Sequence, residues 1–213
     1  MFVGDRMTSP GITIPSDITI HDALALFKKE RIRRAPVIEK GKLVGIVSEG
    51  DLLNASPSPV TSLSVWEMNY LLSKVTVKQV MTKKVKTVDV TTPIEEAARI
   101  MADNKIGGMP VMRSGKLVGI ITETDLFKTF LELMGARQKA IRVTAAIDEK
   151  PGQLAKITKA IAAAGGNFIS FGQFTGVDPS TKTVTFKVAG LKKEAVKKAL
   201  TNVVLKFWDI RES

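Results

Sequence analysis

Gly41-Lys-Leu-Val-Gly-Ile46 recurs letter for letter as Gly115-Lys-Leu-Val-Gly-Ile120, 74 residues further on. At the same offset and without a gap, Thr13 meets Thr87, Ile20 meets Ile94, Ala23 meets Ala97, Pro36 meets Pro110, Ser48 meets Thr122 and Asp51 meets Asp125. Polar positions and a proline match along with the apolar ones, so two copies of one folded unit explain the pattern better than generic amphipathicity does. Two copies imply two candidate sites.

Each copy reads as strand, helix, strand, strand, short helix. Ile20, Ala23, Leu24 and Phe27 have the i, i+3, i+4, i+7 spacing of a helix face, and Ile94, Ala97, Ala98 and Met101 repeat it. Thr92 is placed to cap the second of these helices, with Pro93 in its first turn and Glu95 completing a capping box. Pro36-Val-Ile and Leu43 to Val47 then read as two strands parted by the turn residues Lys40-Gly41-Lys42, and Pro110-Val-Met and Leu117 to Ile121 are their copies. Between the copies, Pro57 and Pro59 break the chain ahead of an amphipathic stretch from about Ser62 to Val75, with Val65, Met68, Leu72 and Val75 on one face. That stretch predicts a linker helix, with Trp66 packing on it.

A hydroxyl residue followed three positions later by an aspartate ends the third strand of each copy: Ser48-Glu-Gly-Asp51 and Thr122-Glu-Thr-Asp125. Such a pair can simply cap a helix. It can also serve a ligand, because a carboxylate is a natural acceptor for the paired hydroxyls of a ribose. The residues alone leave both readings open.

The repeat, the Pro36 and Pro110 strands and the GIVSEGD and GIITETD endings together resemble a tandem pair of CBS (cystathionine-β-synthase) domains over about residues 7 to 133. The Met7-Thr8 and Val80-Met81-Thr82 openings, and a linker like that of bacterial acetoin-utilisation-type CBS/ACT regulatory proteins, extend the resemblance. It implies an intertwined CBS-domain pair that binds adenosine nucleotides or related adenosyl ligands in crossed sites. Ser48 and Asp51 would face Thr87, Gly108 and Met109, and Thr122 and Asp125 would face Thr13, Arg34 and Ala35. Arg31, Arg33 and Arg34 precede Pro36 where the second copy has Lys105, Gly107 and Gly108. If those arginines point inward rather than to solvent, the Asp125 site is the better phosphate binder.

After Met134–Lys139 the pattern restarts. A strand Ile141–Ile147 leads to a helix from about Gln153 to Ala164 with Leu154, Ile157 and Ile161 buried. Runs at Phe168–Phe174 and Thr183–Val188 follow, then a lysine-rich helix and a last strand Val203–Ile210. This βαββαβ order predicts a ferredoxin-like sandwich. Asp148-Glu-Lys-Pro-Gly-Gln-Leu154 and Gly165-Gly-Asn-Phe-Ile169 resemble an ACT domain, a regulatory module that commonly binds amino acids where two such domains meet. The resemblance places Asp148, Glu149, Pro151, Gly152 and Asn167 at a ligand site or interface, although Ile147 and Glu149 stand where the better-characterised amino-acid binders often carry an amide or imidazole. The expected organisation is therefore α/β (α+β): a first CBS module at 1–55, a linker at 56–79, a second module at 80–133, a hinge at 134–139 and an ACT domain at 140–213.

Composition narrows the function classes. The absence of cysteine and the single histidine, His21, exclude thiolate metal sites and disulfides and leave little for nucleophilic chemistry. There is no GxxxxGK[ST] phosphate loop. No apolar run approaches a membrane span and no apolar signal core opens the chain, so a cytoplasmic protein is expected. Of the net charge of +11, residues 135–213 carry +8, with 14 Lys and Arg against 6 Asp and Glu. Lys192, Lys193, Lys197 and Lys198 read as a solvated helix face, and no aromatic residues interleave with them, so nucleic acid is not the expected partner. The expected protein is a non-catalytic metabolite sensor and homodimer with no catalytic cofactor and no metal. It takes an adenine nucleotide or S-adenosylmethionine, with an amino acid as a second candidate ligand and a downstream target protein as partner. The alternatives are a scaffold without a physiological nucleotide, or a regulator acting on nucleic acid through its basic C-terminal domain.

Overall fold

The computed structural model describes residues 1–55, 64, 66, 67, 70 and 74–213. The chain divides into two compact units, Met1–Leu126 and Phe127–Ser213. In the first unit, β1 (Ile14–Pro15), α1 (Ile20–Glu30), β2 (Arg34–Glu39), β3 (Lys42–Ser48) and α2 (Glu49–Asn54) are followed by the short helix α3 (Val77–Val80). The second copy supplies β4 (Val88–Asp89), α4 (Ile94–Asn104), β5 (Gly108–Arg113), β6 (Lys116–Thr122) and α5 (Glu123–Leu133). Each copy forms a three-stranded sheet, in the orders β1-β2-β3 and β4-β5-β6. The first pair in each is parallel and the second antiparallel.

The repeat survives in backbone detail. Both hairpins turn through two residues of positive φ, Lys40 (49°) and Gly41 (75°) and again Ser114 (49°) and Gly115 (75°). This is the turn whose twist matches paired strands, and it explains the first glycine of the repeated hexapeptide. Helices α1 and α4 both end on a left-handed residue, Arg31 and Lys105. Two expectations fail here. Thr92 does not cap α4: Pro93 takes the N-cap position, and the Thr92 hydroxyl accepts from the Asp89 N–H at 3.1 Å, closing the preceding turn. The last helix of the second copy is not short but runs for 11 residues.

The openings of the two copies are exchanged. Thr8 N–H donates to Ile120 O (2.9 Å) and Ile120 N–H to Thr8 O (3.1 Å). One repeat on, Thr82 N–H donates to Ile46 O (2.9 Å) and Ile46 N–H to Thr82 O (3.0 Å). Val3 and Met7 accordingly pack with Val88, Ala97, Met101, Met109, Val111 and Ile121 of the second copy. Val77 and Met81 pack with Ile14, Ile20, Phe27, Ala35, Val37 and Val47 of the first. Close approach of these segments requires the second glycine of the hexapeptide: a Cβ on Gly119 would stand 2.5 Å from Thr8 O, and one on Gly45 would meet Met81 Sδ and, at 3.2 Å, Thr82 O.

In the second unit, β7 (Ile141–Asp148), α6 (Gln153–Ala163), β8 (Asn167–Thr175), β9 (Thr181–Ala189), α7 (Lys193–Leu200) and β10 (Lys206–Glu212) follow in βαββαβ order. The sheet is antiparallel, in the order β10-β7-β9-β8. One face buries Val143, Ala145, Val184, Phe186 and Val188 against Ile157 and Ile161 of α6 and Val196 and Leu200 of α7. Phe168, Phe171 and Phe186 pack as a ring cluster, with Phe171 and Phe186 stacked at 5.5 Å. Leu154 is 42 % exposed instead of buried, and Gln153 takes the inward position. The last strand begins at Lys206, while Val203 and Val204 pack as part of the approach to it. Between β strand neighbours of Val184, Phe186 and Val188, Lys187 is buried, and its ammonium donates to Gly135 O, Gln138 O and Ser213 O at 3.1, 3.1 and 3.2 Å.

The helix expected from Ser62 to Val75, with Val65, Met68 and Leu72 on its face, lies largely outside the described residues. Trp66, expected to pack, is 86 % exposed, and Trp208 is 48 % exposed with the Lys206 ammonium 4.4 Å from its ring centroid.

Gly119→Ala is expected to cost about 1–3 kcal/mol in urea unfolding, because the added methyl meets a backbone oxygen that cannot swing away. Gly45→Ala should cost less, since the flexible Met81 side chain can yield. Equal, negligible losses would remove the exchange contact as the reason for these glycines. Lys187→Ala leaves three carbonyls of the second unit short of a donor and should lower stability by roughly 2–4 kcal/mol; wild-type denaturation would show that the lysine is dispensable.

Candidate functional site

Both Ser/Thr-x-x-Asp pairs are formed as caps. The Asp51 Oδ2 accepts from Ser48 N–H (2.8 Å) and Ser48 Oγ (2.7 Å), and Ser48 Oγ accepts from Asp51 N–H (3.2 Å). Asp125 Oδ2 accepts from Thr122 N–H (2.9 Å) and Thr122 Oγ1 (2.7 Å). Each cap is also tied to the loop before the neighbouring strand, where Glu49 N–H donates to Arg33 O (2.8 Å) and Glu123 N–H to Gly107 O (3.1 Å). One carboxylate oxygen thus serves each cap. Asp51 keeps a second, Oδ1, that the cap does not use, while Asp125 is 9 % exposed.

A cavity of about 470 Å³ opens on the Asp51 side. The first copy contributes Arg34, Ile46, Ser48 and Asp51 to its wall, and the second contributes Asn104 to Gly108 together with Thr82, Lys84, Val85 and Lys86. The exchanged opening of the second copy is what carries Thr82 to Lys86 there, because Thr82 is hydrogen-bonded to Ile46. The wall bears four cationic side chains, Arg34, Lys84, Lys86 and Lys105, against one carboxylate, Asp51. Among the described residues none of the four cations is ion-paired. Burial pushes the Arg34 guanidinium below its ordinary pKa, as Arg33 does to a smaller extent, and the charges of Glu123 and Asp51 oppose the shift. An arginine remains charged in any such setting.

The structure therefore brings Ser48, Asp51 and Gly108 to one cavity and adds Arg34 to it. Arg34, expected beside Thr122 and Asp125, lines the Asp51 cavity and also lies close to Gly108 and Thr122. Arg31 and Arg33 are exposed. Ala35 and Met109 are fully buried core residues of their own modules, Thr87 is exposed beyond Lys86, and Thr13 is half-buried just ahead of β1. Sequence reading missed Lys84, Lys86 and Lys105. The repeat offset held the signal for two of them, because Pro10 and Ile12 stand where the second copy has Lys84 and Lys86.

In the second unit Asp148, Glu149, Pro151 and Gly152 line another cavity of about 470 Å³ with Lys150, Gln153 and Gln173. Asn167 is not on its wall; it begins β8 and pairs with Ala189. Glu149 is paired with Lys182 at 3.2 Å, and Gln153 Nε2 donates to Asp148 Oδ2 at 3.3 Å. Gln153 Oε1 is buried without a partner among the described residues.

Two repeats that exchange their openings and share a cavity at their junction define a tandem two-module unit. The CBS domain family matches residues 3–58 and 77–132, over half of the chain, and the chain belongs to that family. It is 34% identical over 155 residues to protein MJ1426 of Methanocaldococcus jannaschii, spanning 62% of this chain and 92% of that one. The CBS domain pair of protein MJ0100, solved in complex with 5′-methylthioadenosine and S-adenosyl-L-methionine, is similar with a TM-score of 0.52 and 29% identity, covering 65% of this chain and 98% of that chain. A Vibrio cholerae protein named for acetoin utilization (AcuB) is similar with a TM-score of 0.53 and 32% identity, covering 64% and 95% respectively.

Asp51→Ala is expected to destabilise the first unit by about 1 kcal/mol in urea unfolding, since the Ser48 N–H loses its acceptor, and Asp51→Asn should cost less. Wild-type stability for both variants would deny Asp51 its capping role.

Proposed function

We propose that the CBS pair is a non-catalytic sensor of an adenosine-containing ligand, AMP, ADP, ATP or S-adenosylmethionine, held where the two modules meet. The observation that carries this reading is the junction cavity, which combines a carboxylate with an oxygen to spare, a hydroxyl and two adjacent glycines. The carboxylate suits the paired hydroxyls of a ribose. The adenosyl ligands of the MJ0100 domain pair support the same class. Thr122 and Asp125, with Thr13 and Ala35 as neighbours, are the second candidate site, and Thr87 and Met109 border the first.

Residues 140–213 act in this reading as an ACT-type module that supplies the dimer contact or a second input. Asp148, Glu149, Pro151, Gly152 and Asn167 are its candidate ligand and interface residues. An amino acid is a fitting ligand for the cavity there because Gln153 Oε1 needs a donor and an ammonium group provides one. Among the described residues no helix is long and apolar enough to cross a membrane, and we place the protein in the cytoplasm. Regulation follows if the ligand favours one arrangement of the modules over another and a target protein reads the difference. A scaffold function is the second reading. It is favoured by the fact that in both Ser/Thr-x-x-Asp pairs the aspartate already accepts from the N–H and the hydroxyl of the residue three positions before it.

A ligand at about 100 times its Kd adds about 2.7 kcal/mol of stability, so thermal unfolding with AMP, ADP, ATP and S-adenosylmethionine should give a rise of several degrees with at least one of them. No shift with any favours the scaffold. Light scattering of the full chain at micromolar concentration and moderate salt should give the mass of a twofold-symmetric homodimer; a monomer would remove the dimer and any interfacial amino-acid site.

A further inference from the structure

The repeat-related partner of Arg34 is Gly108, and the two residues touch. Arg34 lies opposite Ser48 in the β2–β3 register, and Gly108 lies opposite Thr122 in β5–β6. The Arg34 side chain crosses from its own module to rest over the glycines of the other. A Cβ on Gly107 would stand 2.6 Å from its Nη1, and a Cβ on Gly108 would stand 2.9 Å from its Cδ and 3.3 Å from Thr122 Cγ2. One guanidinium thus occupies ground between the two caps, and it has room only because its counterpart position lacks a side chain. It lines the Asp51 cavity. The same one-sidedness holds for the lysines, since Lys84 and Lys86 wall this cavity while Pro10 and Ile12 occupy the equivalent positions of the first copy.

Four cations around one carboxylate, none of them ion-paired among the described residues, repel one another and any cationic guest. Two of them, Arg34 and Lys105, come from opposite modules, so an anion placed among them would relieve repulsion that the single carboxylate of the wall, Asp51, offsets only in part. A neutral thioether nucleoside offers no such charge, and a sulfonium adds a fifth cation. A di- or triphosphate supplies the anion and presents oxygens that a guanidinium meets with two parallel hydrogen bonds.

We infer that the Ser48–Asp51 cavity takes a phosphorylated adenosine ligand, a nucleoside di- or triphosphate, and that Arg34 is the residue selecting it over neutral or sulfonium-bearing adenosyl compounds. This rests on the adenosine reading above. The two repeat-related sites are then functionally unequal, with the phosphate-bearing ligand confined to the one that holds Arg34.

Calorimetric titration of the full chain with ADP, 5′-methylthioadenosine and S-adenosylmethionine tests it. Wild type should bind ADP at least about tenfold more tightly than methylthioadenosine, one per chain, as expected for a charge-assisted contact in a half-buried setting. Arg34→Met should lower the ADP-to-methylthioadenosine affinity ratio by about tenfold, and Arg34→Lys should restore part of it. The exposed pair Lys84→Ala and Lys86→Ala should lower the same ratio and flatten its dependence on salt, which keeps the test available if Arg34→Met does not fold. An unchanged ratio in the arginine variant or, where that variant does not fold, in the lysine variant overturns the inference, as does wild-type binding of methylthioadenosine or S-adenosylmethionine as tight as that of ADP, while the adenosine reading stands. A wild type that binds none of the three overturns the adenosine reading itself and the inference with it.

Discussion

Backbone hydrogen bonds between each copy and the opening of the other, among them two between Thr8 and Ile120 and two between Thr82 and Ile46, hold the first unit together as a pair rather than as two beads on a string. Each module completes its core with a segment that precedes the other: Val3 and Met7 in one case, Val77 and Met81 in the other. Neither core is closed by its own repeat alone. The exchanged segments can lie that close to a strand only where the strand carries no side chain on the facing side, which is at Gly45 and Gly119. The second glycine of the hexapeptide is therefore a packing requirement and the first, at Gly41 and Gly115, a turn requirement. Because the exchange also carries Thr82 to Lys86 onto Ile46, the cavity at the junction is a direct product of it.

The elements of both units were legible in the sequence because their signals are local or repeated. Apolar spacing of 3.6 and 2 residues, turn glycines and the 74-residue offset locate strands and helices without tertiary information. What local signals could not show is the direction of a long side chain. Arg34 sits beside Ser48 by strand register, but its path over Gly107 and Gly108 depends on empty space in another module. Thr92 illustrates the reverse difficulty: its hydroxyl has two possible uses one turn apart, and the proline that follows settles the competition in favour of Asp89. In the second unit the inward stripe of α6 runs through Gln153, Ile157 and Ile161, a strict i, i+4, i+8 row. Leu154 falls one residue off that row and faces solvent, which composition alone gave no reason to expect.

The second unit manages polarity differently on its two sides. Its helix-covered side is apolar, with three phenylalanines and a set of branched residues. On the other side Lys187 reaches across to satisfy carbonyls of the 135–138 segment and of Ser213. A buried ammonium is tolerated only when its hydrogen-bonding capacity is used, and three acceptors match its three protons. The same side chain therefore fixes the stretch that leads from α5 into β7 and the end of β10. The basic excess of this unit lies elsewhere, on exposed residues such as Lys192, Lys193, Lys197 and Lys198.

Symmetry and asymmetry in the first unit divide along a physical line. The glycines that the backbone exchange and the hairpins require repeat, Gly45 with Gly119 and Gly41 with Gly115. At the junction cavity Ile46, Ser48, Asp51 and Thr82 have matching counterparts, while the copies differ at Arg34 against Gly108, Pro10 against Lys84 and Ile12 against Lys86. A fourfold excess of positive side chains on one wall costs little when the groups are exposed to water and screened by salt. A ligand that excluded that water would leave the same charges acting at short range and with less screening.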